Sequence, residues 1–147
     1  MALLVPFDGS DLSTAALERA VEFGEFTGEE VVVPSVVPPS EEYARERGWI
    51  APDEPFDPDL VAGRLRDRAE AVAPGATHRT EVPEDVSATA SLTTDVVRTI
   101  HEVAAEVGAS VLSVGSANAG RVSTPLSSVG TPVSEDPRYD VHIVRHA

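Results

Sequence analysis

Short apolar runs in this chain alternate with stretches whose apolar residues recur every three or four positions, and that rhythm leaves few ways to fold. Each run suits a strand buried on both faces, and each stretch suits a helix that crosses back over it. The alternation therefore predicts a parallel sheet covered by helices. Leu3 to Phe7 is the first run, broken by Asp8, Gly9 and Ser10 before Leu12, Ala16, Ala20 and Phe23 begin a helical stripe. Leu17 and Val21 widen the stripe, and Gly28 supplies its stop. Val31 to Val37 predicts a second strand, with Pro34 inside it, where a central strand would miss the donor. Val61, Leu65 and Val72 mark a further helix ended by Pro74 and Gly75, and Thr77 to Val82 is polar enough for an edge strand. Val96, Ile100, Val103 and Val107 mark the clearest helix, which Gly108 closes. Val111 to Val114 is a buried strand ending at Gly115. Thr131 and Pro132 then open a short final helix, and Val141 to Arg145 forms the last strand.

At 147 residues the chain suits one domain spanning 1–147. One connection is unusually long: residues 38 to 58 hold five prolines and the only tryptophan, Trp49, with room for a short helix from Glu41 to Arg47. A loop of that length is either functional, as a lid or a partner surface, or is pinned to the core by Trp49.

Charge narrows the partners. The sequence carries 25 acidic residues against 11 basic ones, every one an arginine, for a net charge of −14. Nucleic acids and anionic membranes bind cationic side chains that displace counterions, so neither is an expected partner. The apolar runs fall far short of a membrane span, and no basic stretch precedes the first, so a soluble cytoplasmic protein is expected. Without cysteine there is no disulfide, thiolate nucleophile or thiolate metal site. Self-repulsion among the carboxylates is screened at molar salt, where the Debye length falls to about 3 Å. The composition thus points to a salt-loving source, or to an acidic protein of an ordinary cell with a GC-rich genome.

In an open parallel sheet, ligands bind beyond the carboxyl ends of the strands, where strand order reverses. Asp8, Gly9 and Ser10 follow the first strand, and Gly115 and Ser116 follow the fourth. If those strands are neighbours, their loops share one crevice. Between Glu106 and Glu135 lie 28 residues without an acid, where the chain average would place about five. Arg121 is the one cation in that window, so an anion is least repelled there. A buried strand excludes acids by itself, which covers Val111 to Val114 but not the rest.

Three stretches, LVPFDGSDLSTAALERAVEF, TIHEVAAEVGASVLSVGS and LSSVGTPVSEDPRYDVHIVR, resemble the universal stress protein family across nearly the whole chain. The resemblance implies a Rossmann-like α/β fold, an open parallel five-stranded sheet of order 3-2-1-4-5 with helices on both faces. Its nucleotide-binding branch carries glycine, two residues, glycine, nine residues, glycine, then serine or threonine. Gly115 and Ser116 match the start of that pattern. Asn118 stands at the second glycine, the loop is one residue short, and Ser127 and Ser128 stand at its close. Asn118 tolerates positive φ, Gly120 adds freedom and Arg121 can pair with phosphate, whereas Ser127 puts a side chain where backbone would approach it. The loop is degenerate by this comparison. By the same resemblance Asp8 and Val37 lie near a ribose and an adenine, ATP or AMP is a possible ligand, and magnesium accompanies ATP. The last strand reads as an exposed edge through which relatives commonly dimerise, burying Val141 and Ile143.

No enzyme is expected. A chain without lysine has no Walker A loop. The histidines at 78, 101, 142 and 146 lack metal spacing, only His142 and His146 being placed to share a strand face. Ser10 has no basic neighbour in sequence and suits a helix cap. The expected function is stress-response regulation through an unidentified protein partner, with adenine-nucleotide binding weakened or lost; the alternative is a retained ATP or AMP site.

Melting temperature is expected to rise as KCl increases from dilute to molar, because screening relieves carboxylate repulsion while apolar burial is unharmed. A flat or falling profile would refute it.

Overall fold

The computed structural model describes residues 2–83, 92–116 and 139–147. Five strands, β1 (Ala2–Leu4), β2 (Glu30–Val36), β3 (Thr77–Glu81), β4 (Ala109–Gly115) and β5 (Asp140–Val144), form one sheet of order β3-β2-β1-β4-β5. Every pairing is parallel. Four helices connect them among the described residues: α1 (Asp11–Thr27), α2 (Glu41–Glu46), α3 (Pro58–Val72) and α4 (Leu92–Val107). The final helix expected at Thr131 and Pro132 lies outside the described residues.

Side-chain alternation along the strands divides the core. Val33 and Val37 point with Val5 and Phe7 into a cluster under α1 and α3, while Val32 and Val36 point with Leu4 and Leu112 into a second cluster under α4. The sheet is thus covered on both faces, as the valine-rich runs require. α1 buries Leu17 together with Ala15, Ala16 and Ala20, whose small side chains let it lie close. Its ends are fixed locally: Ser10 Oγ accepts the Ser13 amide at 3.2 Å, and Gly28, at φ 78°, returns its amide to the Gly24 carbonyl. α3 starts at Pro58 behind the Asp57 cap, and α4 stops at Gly108, at φ 64°.

β1 stops at Leu4 although the apolar run continues to Phe7. Val5 and Phe7 still donate to the Val32 and Pro34 carbonyls of the β2 side, both at 2.9 Å. Alternate residues of a central strand donate to opposite neighbours, so the donor due to β4 falls at Pro6, which has none. Pro34 sits inside β2 opposite Arg79 of β3. Because Val37 donates towards β3, at the Glu81 carbonyl, Pro34 occupies a position facing β1, where its missing donor coincides with the end of the β1–β2 ladder. The sheet loses hydrogen bonds at the carboxyl ends of β1 and β2, where the first strand was expected to run on.

Glycine is required where α1 starts beside the end of β4. A Cβ on Gly115 would stand 2.7 Å from Leu12 Cβ, on a rigid helix. Gly115→Ala is expected to lower stability by about 1–3 kcal/mol. Gly63 is exposed in α3 with nothing within 4 Å of where its Cβ would stand, so Gly63→Ala should raise stability by about 0.5–1 kcal/mol. Urea denaturation of both variants checks the pair; a Gly115→Ala protein as stable as its parent would remove the packing constraint.

Candidate functional site

Beyond the carboxyl ends of the central strands lies a cavity of about 370 Å³. β1 and its continuation supply Pro6, Phe7 and Asp8; β2 supplies Pro34 and Val36; β4 supplies Val114 and Gly115. α4 closes one side with Thr93, Val97 and Ile100, and the 38–57 connection closes the other with Tyr43, Arg47 and Trp49. The walls are mainly apolar with a few polar groups at the turn after β1, a composition typical of small-molecule sites.

That turn is held from several directions. Asp8 Oδ1 accepts the Ser10 amide at 2.9 Å, closing a turn around Gly9, whose φ of 81° excludes most other residues. Arg68 of α3 donates to the Gly9 carbonyl at 2.7 Å. The Trp49 indole donates to the Asp8 carbonyl at 2.8 Å across 41 residues of sequence. Trp49 is buried against Tyr43, ring centroids 5.6 Å apart in an edge arrangement. Of the two readings of the long connection, the structure shows the pinning: Trp49 ties the loop to the core, and its side chain forms part of the cavity wall.

The rest of the connection is clipped by charge. Arg64 of α3 reaches the Trp49 carbonyl at 3.0 Å and pairs with Glu54 at 2.6 Å. Arg45 pairs with Glu41 and donates to the Pro52 carbonyl. The hydrogen bond from Arg64, with a second from the Ala51 amide, holds the Glu54 carboxyl at a pKa of about 2. The same contact raises the Arg64 pKa. The clip therefore stays ionised at any pH near neutrality. Elsewhere, burial lowers the pKa of His101, whose Nδ1 meets the Tyr139 hydroxyl between α4 and the start of β5.

Asp8 and Gly115 meet at this cavity because β1 and β4 are neighbours. Ser116 is exposed just past β4. Val37 lies elsewhere: its side chain is in the core under α1 and α3 and its amide is spent on Glu81, while Val36 faces the cavity. Asn118, Gly120, Arg121, Ser127 and Ser128 lie outside the described residues. Ser10 Oγ is engaged as the α1 cap. Phe7, Tyr43, Arg47 and Thr93 also line the wall, although nothing in the sequence marks them for it. Only a long-range contact such as Trp49–Asp8 brings residues 43–49 to the site, and no local pattern announces it. Among the described residues no group of His, Asp and Glu is arranged to hold a metal, and no helix is long and apolar enough to cross a membrane.

Residues 1–145 match the sequence model of the universal stress protein family. No curated protein matches the sequence significantly. Solved structures do. A universal stress protein crystallised with cAMP is 26% identical, with 100% of this chain and 98% of that one aligned at a TM-score of 0.55. The Archaeoglobus fulgidus universal stress protein in complex with dAMP is 18% identical over 99% and 98% of the two chains, TM-score 0.61. An Arabidopsis thaliana universal stress family protein with AMP bound is 12% identical over 100% and 92%, TM-score 0.51.

Proposed function

Because this chain belongs to the universal stress protein family, we propose that it is a cytoplasmic stress-response regulator whose cavity takes the nucleoside end of an adenine nucleotide weakly. It acts by binding, not by catalysis. The observation that carries this reading is the apolar slot beyond β1 and β4 with Asp8 on its wall, of a size that fits a small ligand. The 26%-identical relative carries cAMP, an adenine nucleotide with a single phosphate. The apolar walls suit a base, and the Asp8 carboxylate can accept from a ribose hydroxyl.

Phosphates beyond the first add little in this reading. Backbone amides grip phosphate where glycines leave them open, and the sequence has Asn118 and Ser127 where the nucleotide-binding pattern has glycine. Against catalysis, the hydroxyl of Ser10 is occupied by the Ser13 amide, and no histidine lines the cavity among the described residues. Signalling then passes to a protein partner, and to a second copy of this chain through β5. That strand lies at the sheet edge with Ile143 40% exposed and Val141 half-buried. An open edge of this kind favours pairing with another strand.

Calorimetry with AMP and with ATP plus magnesium, in molar KCl, tests the ligand. Both are expected to bind, with ATP gaining less than about tenfold over AMP, or about 1.4 kcal/mol. Absence of any binding would favour a nucleotide-free interaction protein. A large ATP advantage that disappears in Arg121→Ala or Ser128→Ala would show a working phosphate loop. For assembly, light scattering at molar KCl should give a dimer that Ile143→Arg dissociates, and a wild-type monomer would exclude the β5 interface.

A further inference from the structure

We infer that Arg47, contributed by the long connection, is the residue that reads the negative charge of the ligand at this site, favouring a phosphorylated nucleoside over the bare one. The inference rests on the nucleotide reading above. Among the described residues lining the cavity, Arg47 is the only cation, and Asp8 and Asp11 line it too. On a protein of net charge −14, a mouth bearing two carboxylates would repel a phosphate unless a cation offset them.

Arg47 is also left available. Arg45, Arg64, Arg66, Arg79 and Arg98 each pair with a carboxylate. Arg47 pairs with none among the described residues, although the chain has more than two acids for each arginine. Its guanidinium lies 3.8 Å from the centroid of the Tyr43 ring. Tyr43 is buried and braced edge-on by Trp49, so the platform under the guanidinium is fixed while the arginine itself is exposed. A planar cation seated in this way offers a preset fork to a phosphate, with little side-chain freedom left to lose. Position adds to this. Arg47 is the C-cap of α2, followed by Gly48 at φ 72° and then by Trp49, so the indole bond to Asp8 also fixes where the arginine stands.

The test compares AMP with adenosine, titrated into wild type, Arg47→Gln and Arg47→Lys at the lowest KCl that keeps the protein folded, where screening is least. Wild type should prefer AMP. Arg47→Gln should weaken AMP by about three- to tenfold and change adenosine by less than about twofold, so that the preference collapses. Arg47→Lys, which keeps the charge but loses the planar fork, should fall between. Melting temperatures should agree within a few degrees across the three proteins, since the side chain is exposed and loses at most its stacking on Tyr43. Equal weakening of both ligands would assign Arg47 to shaping the wall, and no change in either would release it from the site; each overturns the inference while leaving nucleotide binding intact. Wild type binding neither ligand would overturn the nucleotide reading, and this inference with it.

Discussion

Pro6 and Pro34 lack the amide hydrogens with which β1 and β2 would continue their ladders, so the middle of the sheet loses hydrogen bonds at one end while its side chains go on packing. The rest of the site depends on that arrangement. Both prolines line the cavity, and the backbone beyond them is free to turn at Asp8 and Gly9 instead of extending the strand. A buried ladder end would leave donors and acceptors unpaired at a cost of about 1–3 kcal/mol each. Proline removes the donors outright, and Trp49, Arg68 and Ser10 supply partners for the polar groups of the turn.

The long connection takes its shape from the same turn. Its only regular element is the short helix α2, yet it holds one position because contacts at several points fix it. Trp49 is tied to the end of β1, Arg64 to the Trp49 carbonyl and Glu54, and Arg45 to the Pro52 carbonyl. Exposed ion pairs are individually weak, about 0–1 kcal/mol each. Here they serve to position an aromatic wall that is already buried.

Much of the fold was legible in the sequence because apolar period is a local signal. The strand order and the stops at Gly28 and Gly108 follow from it and from the family resemblance together. What the period does not carry is hydrogen-bond supply, which is why the first strand reads as reaching Phe7 while its pairing with β4 ends before Pro6. Nor does it resolve which of two adjacent valines faces a crevice. Val36 and Val37 lie on opposite faces of the sheet, and a shift of one residue exchanges cavity wall for core. Arg47 was hidden for a different reason. Within EEYARERGWI it looks like any solvated helix charge, and its place on the wall is set by Trp49 and Tyr43 folding inward around it.

The chain has a single tryptophan, and that indole forms part of the cavity wall, with its N–H bonded to the turn that bears Asp8. The protein thereby contains its own optical probe. Emission from this one buried fluorophore responds to the polarity and quenching of whatever lies against it, with no background from other indoles. Occupancy of the crevice can be followed by intrinsic fluorescence in unlabelled protein, including at salt concentrations that defeat surface-based methods.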